Sequence, residues 1–310
     1  MKTIRLGLLG VGKIARDQHI PVLRASAEFT LAAVASRHSA VDSTPSFHDL
    51  SQMLDGAEID AVAICTPPQN HFEAARTCLA RGKHVLLEKP PCASTTELDI
   101  LAAEAARQRL TLLQSWHSRF APGVALAAEI LRGRKLRRAT VIWKEDVRRW
   151  HPGQSWIWEA GGFGVFDPGI NALSILTAVV TDEIFLRDAT LHVPTNCQTP
   201  IAAELSLSTV GGAEIAAEFD FRHTGTQTWD IALETDQGPV LLQQGGSVVA
   251  VDGKTLDTPH DAHHPEYTPL YRRFAELVRA GRSDVDARPF RLVADAFLMG
   301  RRLAVEPFHE

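Results

Sequence analysis

The sequence predicts an α/β protein in two parts: an N-terminal doubly wound parallel sheet, then a C-terminal α/β domain with a large open, mostly antiparallel sheet. Three observations predict it. Short apolar runs alternate with helix-period segments over the first third of the chain. A glycine-rich turn joins the first run to the first helix. Beyond about Trp116 the rhythm lengthens into stretches of alternating apolar and polar residues.

In the first part, strands are expected at residues 4–9, 30–36, 60–65, 83–87 and 110–114, and helices at 14–25, 50–55, 70–81 and 95–108. Strands apolar on both faces suit a parallel sheet covered on each side by helices. In the second part a helix is expected at 124–132, and strands at 138–147, 186–193, 203–207, 213–221, 228–234 and 240–242, with an apolar helix at 165–180 between the first two strands. Residues 243–264, including the histidines from His260 to His264, are turn-rich and polar and read as surface hairpin and loop. Helices at 265–280 and 288–303 close the chain. The division expected is 1–118 for nucleotide binding and 119–310 for substrate binding, the last helices packing back on the first domain.

Composition narrows the function classes. The chain has 310 residues, 45% hydrophobic and 22% charged, as globular proteins do. A net charge of -5 gives no electrostatic footprint for nucleic acid or an anionic membrane. Four scattered cysteines with no Cys-x-x-Cys pair argue against a zinc site or a disulfide framework, and a reducing cytoplasm is expected. The opening MKTIRLGLLG reads as a first strand and not a signal peptide, and no stretch is long enough to span a bilayer. No histidine group has the supporting pattern of a metal site.

Gly10-Val11-Gly12-Lys13-Ile14-Ala15 is the G-x-G-x-x-A form of the dinucleotide fingerprint, placed where it must be, after a strand and opening a helix. Gly10 allows the tight turn, Gly12 lets the backbone approach a diphosphate, and Ala15 lets helix and strand pack closely. The helix start at Lys13 and Ile14 offers N–H groups to phosphate. The first part is therefore expected to be a Rossmann domain. An acid at the end of the second strand would bind the ribose 2′-OH. Ser36-Arg37-His38 stands there instead, and a hydroxyl beside a guanidinium suits a 2′-phosphate. NADP is expected, with NAD as a second cofactor; the plainer reading of Arg37 is a solvated surface charge. Two further strand ends complete the expected cofactor wall: Cys65, Thr66, Pro67, Asn70 and His71 after the third strand, and Glu88-Lys89 after the fourth. Lys89 is placed to hold the ribose, a substrate hydroxyl or both; a surface ion pair is the alternative for Glu88-Lys89.

The glycine loop, the Cys65-Thr66-Pro67-Pro68 segment and Glu88-Lys89-Pro90 together resemble the glucose–fructose oxidoreductase/inositol dehydrogenase (Gfo/Idh/MocA) family. The runs from Trp143 to Gln154 and from Gly164 to Ser174 are similar to its bacterial L-arabinose and D-galactose 1-dehydrogenases. The resemblance implies oxidation of an aldose, L-arabinose ahead of D-galactose and D-fucose, at its anomeric carbon to the lactone. It also implies a homodimer formed through the open sheet. D-Galactose as main substrate, and a non-catalytic sugar or cofactor sensor on the same scaffold, are the alternatives.

Four of the six tryptophans fall between Trp143 and Trp158. Indole rings pack on the C–H faces of sugars, whose hydroxyl edges need hydrogen bonds. Glu145, Trp150, His151 and Asn171 supply both. Core filling is the alternative for the tryptophans, Trp156 and Trp158 above all. Glu145 shares a strand face with Val141, Trp143 and Val147, so its carboxylate must find partners. Asp167 and Asn171, four apart, share one helix face. Asp-Pro by itself reads as a helix N-cap followed by proline; the resemblance instead sets Asp167 against the anomeric hydroxyl. Many family members carry histidine where Asn171 stands. An amide is a poor base, so the base role passes to Asp167 or Lys89. The resemblance adds His117 and Trp229 as pocket residues; a domain-junction histidine and a sheet-face core residue are the alternatives.

Overall fold

The computed structural model describes residues 2–258 and 264–309. His260 and His263, part of the expected polar loop, lie outside the described residues. The described chain divides into two compact units, 2–116 with 264–287, and 117–258 with 288–309.

The first unit is built on β1 (Ile4–Leu9), β2 (Phe29–Ala35), β3 (Ser46–Phe47), β4 (Ala61–Ile64), β5 (His84–Leu87) and β6 (Leu112–Gln114). They form one parallel sheet in the order β3-β2-β1-β4-β5-β6, with the order reversing beside β1. β4 is fully buried and β5 nearly so, as expected of strands covered on both faces. The helices are α1 (Ile20–Ala25), α2 (Leu50–Gly56), α3 (His71–Ala80) and α4 (Thr95–Gln108), with α8 (Tyr267–Ala280) added from late in the chain. Two sequence devices start helices here. Asp49 accepts from the Gln52 amide, and Ser94 and Glu97 form a reciprocal capping box. The expected helix over 14–25 is irregular: a wide π turn, Ala15–His19, precedes α1.

The second unit holds α5 (Val124–Leu131), β7 (Leu136–Lys144), α6 (Val147–Trp150), α7 (Phe166–Val179), β8 (Ile184–Pro194), β9 (Ala202–Thr209), β10 (Glu214–Asp220), β11 (Thr228–Thr235), β12 (Gly238–Gln243), β13 (Val248–Val251), β14 (Lys254–Leu256), α9 (Arg288–Met299) and β15 (Arg301–Val305). Its nine strands form a mixed, mostly antiparallel sheet in the order β14-β13-β12-β11-β7-β10-β9-β8-β15. The parallel pairs are β7 with β10 and β8 with β15. α7, almost wholly buried, covers one face.

Three expectations need correction. The strand read as 138–147 ends at Lys144 and gives way to α6, because Asp146 caps that helix by accepting from the Arg148 amide. The helix read as 288–303 stops at Met299, and residues 301–305 extend the sheet edge beside β8. Of the closing helices, α8 belongs to the first unit while α9 and β15 belong to the second.

Among the described residues no helix is long and apolar enough to cross a membrane, and no group of three potential metal ligands occurs. All four cysteines are free.

Candidate functional site

The first unit presents a cradle at the carboxyl ends of β1, β2, β4 and β5. The turn after β1 needs Gly10: its φ is +91°, and a Cβ there would lie 3.0 Å from the Cys65 carbonyl. Gly12 is different. A Cβ on it would meet nothing within 4 Å, so the loop is open on that side. Ala15 is fully buried against the sheet, as its place in the fingerprint requires. The buried Thr66 Oγ1, beside Gly10, has no hydrogen-bond partner. An open glycine face next to an unsatisfied buried hydroxyl fits a dinucleotide phosphate. Lys13 is exposed and pairs with Asp17, and Ile14 is half-buried. Ser36 lies half-buried just past β2, followed by Arg37 and His38, both exposed. Arg37 makes no ion pair among the described residues, which leaves its guanidinium available to an anion.

Residues expected on the cofactor wall divide here. Cys65 is buried after β4, and burial pushes its thiol pKa well up, so it is no thiolate. Pro67 is half-buried and Asn70 exposed at the start of α3. His71 is fully buried. Its Nε2 lies 2.6 Å from the Thr66 carbonyl and its Nδ1 3.1 Å from the Pro91 carbonyl. It lies between the segments after β4 and β5, and as a neutral ring it donates to one of these two carbonyls. Burial holds its pKa below the usual histidine range. Glu88 is likewise enclosed, accepting from His19 Nε2 at 3.0 Å and Tyr267 Oη at 2.9 Å, while Lys89, the next residue, is half-buried. His71 and Glu88 therefore shape the wall from behind and are not its surface.

The second unit gathers its polar residues under tryptophans. Glu145, just beyond β7, is 4% exposed; its backbone N–H still donates to the Asp220 carbonyl, which keeps the strand's alternation of faces. Its Oε2 accepts from Trp229 Nε1 at 2.8 Å, a charge-assisted bond of about 1.5–3 kcal/mol. His151 follows α6. Its Nε2 lies 3.5 Å from Asp167 Oδ2 and 4.0 Å from Glu145 Oε1, and its Nδ1 lies 3.4 Å from Gln154 Oε1. One imidazole thus stands beside two buried carboxylates. Trp229 stacks on Trp143, centroids 5.6 Å apart, and meets Trp150 at 5.4 Å. The indole N–H of Trp150 is buried with no hydrogen-bond partner, a donor suited to a hydroxyl. Trp143 is buried, and Trp158, half-buried, packs on Phe221 and Phe308.

The N-cap reading of Asp167 is overturned. α7 begins two residues earlier than that reading requires, with Val165 as its cap, because the chain is already turned at Gly164 (φ +53°) and tied by the Val165 amide to the Pro200 carbonyl at 2.7 Å. Asp167 sits inside the first turn, 2% exposed. Asn171 lies one turn later on the same face and is half-buried. His117 opens a short 3-10 turn, half-buried, with Nδ1 3.3 Å from Ser118 Oγ.

Residues 4–115 match the Gfo/Idh/MocA family, described as an oxidoreductase family with an NAD-binding Rossmann fold. Over its full length the chain is 44% identical to galactose 1-dehydrogenase of Pseudomonas fluorescens, with 100% of both sequences covered. The chain belongs to the Gfo/Idh/MocA family. A crystal structure of the D-galactose 1-dehydrogenase of Rhizobium etli matches with a TM-score of 0.93 at 49% identity, covering 100% of this chain and 99% of that one. A 3-ketoreductase of Actinomadura kijaniata, in complex with NADP and TDP-benzene, matches with a TM-score of 0.85 at 20% identity over 98% of this chain and 100% of that one, a likeness of fold alone. As a Gfo/Idh/MocA protein the chain is an oxidoreductase whose first sheet is an NAD-binding Rossmann fold.

Sequence reasoning missed His19, Ser115 and Tyr267 as partners of Glu88, and Tyr271 as the partner of His19. One signal was available. The chain's two tyrosines are four apart in an amphipathic segment, and so share a helix face.

Proposed function

We propose that this protein oxidises the C1 hydroxyl of a galacto-configured aldose, D-galactose or L-arabinose, to its aldonolactone, using NADP in preference to NAD. The observation that carries the reading is the His151–Asp167–Glu145 cluster under Trp150 and Trp229. Full-length identity with two galactose 1-dehydrogenases supports the sugar class. D-Galactose and L-arabinose share configuration at C2 to C4 in their pyranose forms and differ by one hydroxymethyl group, so one pocket serves both. The hydroxyl and guanidinium of Ser36-Arg37 support NADP.

In this reading Asp167 accepts the proton of the C1 hydroxyl. Asn171, one turn along α7, orients that hydroxyl as a neutral hydrogen-bonding partner, and Lys89 holds the same group by its charge. His151 and Glu145 bind ring hydroxyls, Trp229 fixes Glu145, and Trp150 and His117 line the sugar. Gly10, Gly12 and the start of the following helix hold the dinucleotide, whose nicotinamide, when bound, supplies the hydride acceptor.

The test is a steady-state comparison of D-galactose, L-arabinose and D-glucose, each with NADP and NAD, followed by absorbance of the reduced cofactor. The expected result is the highest kcat/KM for a galacto-configured sugar with NADP. Preference for D-glucose, or binding of sugar without turnover, overturns the proposal.

A further inference from the structure

Glu88 is the centre of a buried cluster in the first unit that the proposed chemistry does not use. Its side chain, at the end of β5, is 3% exposed and precedes Lys89 directly. Oε1 accepts from His19 Nε2 at 3.0 Å, Ser115 Oγ at 3.0 Å and Tyr267 Oη at 2.9 Å. Oε2 accepts from the backbone N–H of Lys89 at 2.9 Å. His19 Nδ1 meets Tyr271 Oη at 2.7 Å. An imidazole protonated on Nε2 satisfies this arrangement, donating to Glu88 and accepting from Tyr271. Burial, and then the charge of Glu88, holds the Tyr267 phenol well above its usual pKa, so it stays a donor.

The donors come from separate parts of the unit. His19 ends the π turn that follows the glycine loop. A wide turn admits one extra residue, and His19 and Ile20 are both buried as a result. Tyr267 and Tyr271 stand on one face of α8, and Ser115 follows β6. A buried carboxylate is costly unless donors surround it. Here they do, and one of them is the main chain of the residue assigned to the substrate hydroxyl.

We propose that Glu88 is a positioning residue, which fixes the Lys89 backbone against the helix of the dinucleotide loop so that the Lys89 ammonium meets the C1 hydroxyl in one geometry. The inference rests on the reading of Lys89 given above. Glu88→Gln is the informative change. The amide oxygen keeps His19, Ser115 and Tyr267, while the NH2 group faces the Lys89 N–H, donor against donor.

With D-galactose and NADP, kcat of Glu88→Gln is expected to fall on the order of 10–100-fold, the cost of a small misplacement. The NADPH dissociation constant, read by fluorescence quenching, is expected to stay within about twofold of wild type, because the donors to Oε1 are kept. A double-mutant cycle separates positioning from mere stability. If Glu88 acts through Lys89, Glu88→Gln/Lys89→Ala turns over no more slowly than Lys89→Ala. Additive losses overturn the inference, as does wild-type kcat in Glu88→Gln while Lys89→Ala is impaired. Wild-type kcat in Lys89→Ala instead overturns the reading of Lys89, and the inference with it. Should Glu88→Gln fail to fold, the cycle with Tyr267→Phe, which removes one donor to Oε1, is read in the same way.

Discussion

Glu88 in the first unit and Asp167 in the second are both buried carboxylates, 3% and 2% exposed, yet their surroundings are opposites. Glu88 is one acid among donors from His19, Ser115, Tyr267 and the Lys89 main chain. Asp167 is one of two acids that share a single imidazole, with His151 3.5 Å from it and 4.0 Å from Glu145. The first arrangement resists change, because protonating or moving Glu88 breaks several bonds at once. The second sets two carboxylates around one imidazole. The same functional group is thus ringed by donors in one unit and set beside a second acid in the other.

The sharpest way to break this contrast is Asp167→Asn, which keeps shape and removes the carboxylate proposed as base. Initial rates with D-galactose and NADP are expected to fall roughly 10²–10⁴-fold, the usual worth of a general base, with the unfolding midpoint near wild type. Near-native kcat in both Asp167→Ala and Asn171→Ala with L-arabinose would refute the assignment.

Next in size is a pair of changes in the glycine loop. Gly12→Ala adds a methyl group where nothing lies within 4 Å, so the apoprotein keeps its stability while NADPH binding, measured by titration, weakens about tenfold or more. Gly10→Ala forces a side chain into a positive φ against the Cys65 carbonyl and is expected to cost about 1 kcal/mol or more of stability, read by denaturant unfolding. The reverse pattern would mean that Gly12 is structural and that the loop does not face a diphosphate.

The smallest effect is on pH. His71 is held below its ordinary pKa by burial, so the unfolded chain binds its proton first as pH falls. Its share of stability is complete above about pH 6.5 and is lost as pH drops through the folded value. His71→Gln is expected to flatten part of the fall in unfolding midpoint between about pH 7 and 5. An unchanged slope would show that burial does not hold His71 neutral in the folded protein.

Most of the first sheet was legible because its signals are local: apolar runs, glycine turns, and helices starting at Asp49 and Ser94. Glu145 was legible because alternation survives past the end of β7, and the Trp229 bond supplies the partner its face demanded. Asp167 was half legible. Asp-Pro signals a cap locally, but Gly164 and the Pro200 carbonyl set the helix start from outside that signal. β15 was missed because its Arg-Arg-Leu-Ala-Val run continues an apparent helix, and only pairing with β8 makes it a strand. The Glu88 cluster was missed because its hydrogen-bonded side chains lie 27 to 252 positions apart in chain order.

α8 has a consequence for how the molecule is made. Tyr267 reaches Glu88 from 179 positions downstream, and the helix that carries it completes the unit that begins the chain. A ribosome that has released the first 116 residues has therefore produced a sheet whose interior acid still lacks a phenol. The earliest part to emerge is among the last to be finished, and a fragment cut at Trp116 is an incomplete nucleotide-binding body whose interior acid keeps His19, Ser115 and the Lys89 N–H but lacks Tyr267.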